Sequence, residues 1–464
     1  MIFLLSIVIG IVAVIIYQIT PNVLEPTHWD NPLPLMSFEG PTAQNNVLTH
    51  AYQVSQNFHG PESMAFDDWD GTVYVGFGDG TVRTFSSEGI MQNIIFFAGG
   101  YLRHGVEGGE DRTQDLLDWC VKESKEGRLA WNHEGEKKCG RPLGIRTKKD
   151  INRVTRVYVL DAYHGLFEIV RQAGIDVDLF HRITPSTIIT TPEGADPKTK
   201  LTPTFFNDLD ISSDGSIVFT DSSYRYSRSQ NRPEIMDGAP RGRLLMWQPS
   251  RPDELQVLLC GLHFPNGVQF LSPKLLGEER AHKQNEVIVN ELTRFRVLRV
   301  NIEQAMSRNA ELTRSCSEDG SLKQALSRDS YEDSGVGLFI SNVPGLVDNV
   351  RVVQTPSHGV RYFFGLGSKA TAPFSLLHVL LQSNLLRELV GRFLPMKLAE
   401  KLVPRYGLVL VSDEQGNFID SLHDPTGRIS MISQASRHPV TGDLWIGSHS
   451  EPLSILPAKY LPEQ

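Results

Sequence analysis

The chain has 464 residues, a formal net charge of −9 and 21% charged side chains, with acids and bases interspersed along its length. Without a long basic tract or a glycine loop to cradle phosphate, this balance excludes nucleic acid as a partner, and Lys122, Lys125, Lys137 and Lys138 read as a solvated segment. The length allows several ordinary domains or one large closed domain of repeats.

Met1 to Ile19 contains no charged side chain, and as a helix it would extend roughly 28 Å, close to the hydrocarbon thickness of a bilayer. No small-residue cleavage pattern follows, so residues 1–19 are predicted to form an uncleaved transmembrane signal-anchor helix instead of a removed secretory signal. Because no Lys or Arg precedes Arg83, flanking charge does not orient it. Residues 20–55 read as a juxtamembrane linker, and residues 56–464 as the folded domain.

Within that domain, four short segments each place an oxygen-bearing side chain beside a turn. They are Gly60-Pro61-Glu62-Ser63, Phe206-Asn207-Asp208-Leu209, Phe264-Pro265-Asn266-Gly267 and Leu346-Val347-Asp348-Asn349. A related segment, Arg141-Pro142-Leu143-Gly144-Ile145, falls in the longest interval between them, and a sixth unit begins near Ser433. A β-rich stretch follows each: 71–77, 156–160, 215–221, 286–290, 361–365 and 442–447. Short apolar strands separated by Gly, Asp and Pro turns at this interval predict an all-β fold, a six-bladed β-propeller. Residues at matching blade positions then converge at the mouth of a central tunnel. Any one such segment is explained by turn formation alone, but four in the same repeat phase point to a shared oxygen-ligand site. Mixed carboxylate and amide oxygens suit a hard cation such as Ca²⁺.

From about His59 to Leu456 the chain resembles the strictosidine synthase-like propellers. The resemblance rests on Cys139-Gly140-Arg141-Pro142-Leu143-Gly144, Asp161-Ala162-Tyr163-His164-Gly165, Phe219-Thr220-Asp221-Ser222-Ser223, Phe264-Pro265-Asn266-Gly267-Val268, Val403-Pro404-Arg405-Tyr406 and Ser421-Leu422-His423-Asp424-Pro425. The wider group includes paraoxonase-like and gluconolactonase-like hydrolases with a central Ca²⁺. Carried over residue by residue, the resemblance implies Glu62, Asn207, Asn266, Asp348 and Asn349 as the metal ligands. It also implies a cytosolic N terminus and an extracellular or lumenal propeller, at the plasma membrane or the endoplasmic reticulum. A disulfide is implied between Cys120 and Cys139, which flank the insert before Gly140, while Cys260 and Cys316 are expected to be free or buried. The chain has no Asn-X-Ser/Thr sequon.

Two departures limit the chemistry. Where paraoxonases resemble Pro-His-Gly, this chain has Pro142-Leu143-Gly144, so their channel histidine does not carry over. Ser433 aligns with the final-blade glutamate of the alkaloid-forming synthase, which argues against condensation of an amine with an aldehyde. His164, after Tyr163, falls at an apparent inner-strand position. His423 and Asp424 read as turn residues, and His358, His438 and His449 lack zinc spacing. No general base is assigned.

Two inserts break the repeat rhythm. Residues 107–138, charged and Gly-containing, read as an exposed loop. Residues 374–402 carry Leu and Val at helical spacing up to Pro395, which fits a lid over the tunnel, a membrane contact or a helix packed on the propeller side. The expected function is calcium-dependent, arylesterase-like hydrolysis of a small-molecule ester or lactone, with Ca²⁺ polarising the substrate oxygen. The rival is a non-enzymatic adhesion, receptor or scaffold propeller stabilised by calcium.

Overall fold

The computed structural model describes residues 20–462 apart from 30–31, 55–57, 97–109, 150–153, 172–178, 183–188, 191–202, 272–284, 308–334 and 356–358. The predicted membrane helix over 1–19 lies outside the described residues. Among those described, no helix is long and apolar enough to cross a membrane.

The described residues form six sheets, each a blade built on an antiparallel four-stranded set, with Ile189–Thr190 added parallel to the outer edge of blade three. The innermost strands of blades one to six are Met64–Phe66, Pro142–Lys149, Phe206–Ile211, Pro265–Phe270, Gly345–Thr355 and Ile432–Arg437. The β-rich stretches that mark the repeat in the sequence are the second strands, and the oxygen-bearing segments are the starts of the first. Blade six takes its outermost strand, Tyr52–Gln53, from the N-terminal side, where Tyr52 pairs with Ile455 and Gln53 with Ser454. This exchange closes the ring, because the chain's two ends share one sheet.

Alternation of side chains along each strand explains why the ring packs. In Glu286–Glu291, Val287 and Val289 face blade three while Ile288 faces blade five. Every neighbouring pair of blades is filled this way, including blades six and one, where Trp445 and Ile455 meet Val73, Val75 and Phe85. Apolar runs buried on both faces are therefore the sequence signature of these strands.

Connections between second and third strands, and between successive blades, leave at the tunnel mouth, and the inserts are there. Residues 107–138, read as a loop, contain helices α1 (Glu110–Lys125) and α2 (His133–Cys139) instead. The Cys120–Cys139 disulfide is formed, and both cysteines are buried with Phe96 and Leu129, which supplies the apolar anchor that a charged loop would lack. Cys260 is buried and disulfide-bonded as well, not free. In blade three the insert carries α3 (Asn231–Asp237). In blade five, residues 376–399 form α4 (Leu376–Gln382), α5 (Asn384–Phe393) and α6 (Met396–Ala399). Arg387 on α5 is buried and donates to the carbonyls of Met236 and Asp237 at the end of α3, each at 2.9 Å. A cation there satisfies carbonyls the short helix leaves open. Part of the predicted linker packs down too: Leu24, Trp29 and Leu48 are buried, and Thr27 N–H donates to Asp237 O.

His263, beside this α3 contact, is buried with Nδ1 2.9 Å from the Gly238 carbonyl. Burial, aided by the Arg294 charge, lowers its pKa from 6.5 to about 3. The neutral ring's contribution to stability is therefore complete above about 6.5 and is lost as the pH falls through about 3. His263→Gln is expected to flatten the acid limb of a melting-temperature profile over that window, and an unchanged limb would refute the assignment.

Candidate metal centre and cavity

An irregular register recurs at the start of five inner strands: between Pro142 and Gly144, Phe206 and Leu209, Pro265 and Val268, Val347 and Val350, and Ile432 and Gln434. Each is a bulge, which bends the strand and re-aims a side chain. Asn207, Asn266, Asp348 and Asn349 all sit within these bulges. Gly267 is required by the close approach, since a Cβ there would lie 2.6 Å from Val350 N and 2.7 Å from Asn349 Cα.

Side chains of neighbouring strands fix the bulges. Ser222 Oγ donates to Pro265 O at 2.7 Å, Thr220 Oγ1 to Asn266 O at 2.6 Å, and Asn290 Nδ2 to Asp348 O. Ser433 Oγ donates to Glu62 O at 2.6 Å, so the serine aligned with the synthase glutamate has a positioning role here. Phe264 and Met431 adopt φ of 55° and 51° two residues before bulge positions. Bulky residues rarely hold such angles, and strain of this kind gathers at functional sites.

Glu62, Asn207, Asn266 and Asp348 line one cavity of about 410 Å³. Asn349 lies behind, buried, its Nδ2 3.5 Å from the Glu62 carbonyl. The Oδ1 atoms of Asn266, Asp348 and Asn349 are buried without a hydrogen-bond partner, as is Oδ1 of Asn290. A buried unpaired oxygen costs about 1–3 kcal/mol, so several together at one site are a cost that a bound cation would remove. The residues fit Ca²⁺: hard oxygens only, two carboxylates and three amides. Among the described residues, no three His, Cys, Asp or Glu are grouped as a metal cluster, so the amides are indispensable to this reading.

The carboxylates have opposite surroundings. Glu62 Oε2 accepts from Arg141 Nε at 3.1 Å and Nη2 at 2.5 Å, and from Arg228 Nη2 at 3.3 Å. Gly60 makes room for this pairing, because a Cβ would sit 2.8 Å from both Arg141 Nη atoms. Burial alone pushes the Glu62 carboxyl up, but the two guanidiniums outweigh it and hold it at about 2. These contacts fall on Oε2 and leave Oε1 outside the pairing. Arg228 is shared with Glu136 of α2 at 2.8 Å, whose other oxygen accepts from Tyr163 OH at 2.5 Å. For Asp348, burial raises the pKa well above the usual range, and the charges of Glu62 and Asp208 push the same way.

Below the mouth the tunnel is filled by ion pairs. Asp208 receives Arg351 at 2.8 and 3.0 Å and Arg146 at 3.2 and 3.4 Å, and Arg146 also reaches Asp210 at 3.1 Å. Sequence reading did not find these arginines, which sit in different blades with no local motif.

Above the floor the walls are apolar. Phe205, Phe264 and Leu292 rise from the blades, and Leu377, Leu380 and Val390 descend from α4 and α5, so the blade-five insert roofs the mouth as a lid would. A bidentate pair at the rim, Arg232 to Glu400 at 2.9 and 3.2 Å, joins α3 to the end of that roof. His449 completes the lining. Its Nε2 is 3.3 Å from Asn231 Nδ2, and its Nδ1 is buried without a partner. Burial, followed by the Arg228 charge, lowers its pKa well below the ordinary value. Only its position after the final blade's second strand could have signalled it. Leu143, by contrast, is buried in an apolar cluster with Phe205 and Phe264. His164 is not on an inner strand: it follows Asp161 in the turn between second and third strands, where Asp161 Oδ1 accepts its N–H at 3.0 Å. His423 and Asp424 are structural, bonded to Tyr406 and Ser421 and to Thr426 and Ile429 respectively.

A closed six-bladed propeller with bulged, oxygen-bearing inner strands under a helical roof defines the class. Residues 207–304 match the strictosidine synthase family model, and residues 40–85 match that of the strictosidine synthase-like N-terminal region. The chain is 30% identical over 431 residues to the bovine (Bos taurus) adipocyte plasma membrane-associated protein, covering 92% of this chain and 82% of the relative. It is 26% identical over 383 residues to strictosidine synthase-like 13 of Arabidopsis thaliana, covering 82% and 75%. The chain belongs to the strictosidine synthase-like family that includes the adipocyte plasma membrane-associated proteins. A solved structure titled as a putative gluconolactonase covers 91% of this chain and 93% of its own at 12% identity and a TM-score of 0.43, a likeness too loose to bear on activity.

Proposed function

We propose that the chain is a membrane-anchored, calcium-dependent propeller hydrolase acting on ester or lactone substrates. The observation that carries this reading is the pair of buried, unpartnered oxygens of Asn266 and Asp348 in a largely apolar cavity, with that of Asn349 behind them. Glu62, Asn207, Asn266, Asp348 and Asn349 would hold Ca²⁺, which when bound would supply the positive charge that polarises a substrate carbonyl. Arg141 and Arg228 keep Glu62 anionic and fix its orientation. The walls and the blade-five helices exclude bulk water and seat an uncharged acyl or aryl group. His449 Nε2 accepts from Asn231 Nδ2, so the neutral ring carries its hydrogen on Nδ1, which would donate a hydrogen bond to the substrate oxygen on which charge develops. The names of the curated relatives, together with the charge-free N-terminal segment, support membrane anchoring with the propeller on the extracellular or lumenal side.

The scaffold reading is favoured by one observation: Leu143 is apolar and packed where paraoxonases carry their histidine. Hydrolysis of a panel of aryl esters and lactones by the purified full chain separates the two. Calcium-dependent turnover is expected, lost in Asn266→Ala together with metal affinity. His449→Ala is expected to lower kcat by roughly 10²–10³-fold, the scale on which loss of one charge-stabilising donor is felt, while calcium still binds. Calcium binding without turnover of any substrate would make the scaffold reading the correct one.

A further inference from the structure

Helix α5 is apolar on two sides. Its inner side lines the cavity with Val390 and packs Arg387 into the protein. Its outer side carries Leu385, Leu389 and Phe393 at i, i+4 and i+8, with Leu386 beside them, in one stripe along the helix. This stripe faces solvent: Leu385 is 61% and Phe393 48% exposed. Phe374 before α4, 68% exposed, and Leu402 after α6, 57% exposed, add apolar surface at the open edge of the cavity. Lys397 and Lys401 are exposed within the same stretch. An exposed apolar face of this extent marks an interaction surface.

The course of the chain identifies the occupant. Residues 20–24 run directly onto α5: Arg392 donates to the Thr20 carbonyl, and Gly391 has no room for a Cβ because Asn22 Oδ1 would lie 2.5 Å and Leu24 Cγ 2.8 Å away. The segment that ends at this contact is the charge-free stretch 1–19, long enough for a bilayer core. A chain leaving a membrane there has no slack to carry α5 far from the lipid. Interfacial helices are recognised by an apolar face flanked by Lys and Arg, and basic side chains near an anionic surface strengthen such binding.

We infer that the outer face of the blade-five insert is a lipid-docking surface, with Leu385, Leu389 and Phe393 in the interfacial region and Lys397 and Lys401 at the headgroups. The roof of the cavity is then also its contact with the membrane. This inference rests on the proposed membrane anchor at residues 1–19 and not on calcium or hydrolysis.

The test is a fluorescence measurement on the full chain reconstituted in phosphatidylcholine–phosphatidylserine vesicles. An environment-sensitive nitrobenzoxadiazole probe is attached at Leu389→Cys or Phe393→Cys, and at Val440→Cys in the hairpin at the opposite end of the tunnel as control. All three positions are on the surface, and an unaltered melting transition verifies the fold. Probes at Leu389→Cys and Phe393→Cys are expected to shift to the blue and to be quenched by shallow doxyl-labelled lipid, while the Val440→Cys probe does neither. Two results overturn the inference. One is quenching by aqueous iodide at all three positions alike. The other is shielding from both lipid and iodide, which assigns the face to a second copy if the probes cross-link between chains and to the chain's own N-terminal segment if they do not.

Discussion

Asp348→Asn is expected to melt higher than the wild type without calcium and lower than it with calcium. The reversal follows from the surroundings of the carboxylate. It is buried, its Oδ1 has no hydrogen-bond partner, and the negative charges of Glu62 and Asp208 oppose its ionisation. A neutral amide of nearly the same shape removes that repulsion, so the metal-free protein gains. With calcium at about a hundredfold excess over its dissociation constant, the wild type should gain roughly 2.7 kcal/mol from binding, and the variant little of it. Asp348→Ala, which deletes both oxygens, should reduce ester turnover by roughly 10²–10³-fold, the scale on which loss of one charge-stabilising group is felt. Calorimetry with and without chelator, run beside the aryl ester assay, checks both. A variant that keeps the full calcium-induced rise in melting temperature would remove Asp348 from the ligand set.

The oxygen-bearing segments were legible because each holds its residues within four positions and recurs with the blade. Turn chemistry and repeat phase are local information and singled out the four segments, while Glu62, Asn207, Asn266, Asp348 and Asn349 within them were named through the family resemblance. The bulges that aim these residues were not legible, because a bulge is defined by the partner strand's register. The loop assigned to residues 107–138 failed for a related reason. Its charges suggested solvent, whereas Cys120, Leu129 and Cys139 give α1 and α2 a buried footing that only the disulfide and Phe96 reveal. His449 was passed over because it lacks metal-ligand spacing, yet ring closure brings it over the same floor as Glu62. The outer apolar stripe of α5 could be read from periodicity, but which of its two apolar sides the protein covers could not.

Asp208→Asn should be among the most destabilising single changes in the propeller while leaving calcium affinity nearly intact. Asp208 is wholly buried and receives both Arg146 and Arg351 beneath the proposed calcium ligands. Burial pushes its carboxyl up, but the two guanidiniums outweigh that and bring it below the usual range. Its stabilising effect is therefore present above the ordinary carboxylate value of about 4 and lost as the pH falls through the lower folded value. Arg351 has the least reserve: burial and the Arg146 charge lower it to about 10 even with Asp208 present. Removing the anion leaves a buried guanidinium with Ser63 Oγ and the Val350 carbonyl as its remaining contacts at 2.9 and 2.7 Å, and breaking a buried pair in this way costs about 3–5 kcal/mol. Arg146 keeps Asp210 and should suffer less. The expected result is a large drop in the urea midpoint for Asp208→Asn, with much of it recovered in Asp208→Asn/Arg351→Met, where no uncompensated charge remains. Calcium titration of the same variants separates the tunnel plug from the proposed ligand set. If Asp208→Asn loses calcium affinity as steeply as Asp348→Asn, the two layers act as one site and Asp208 belongs to it.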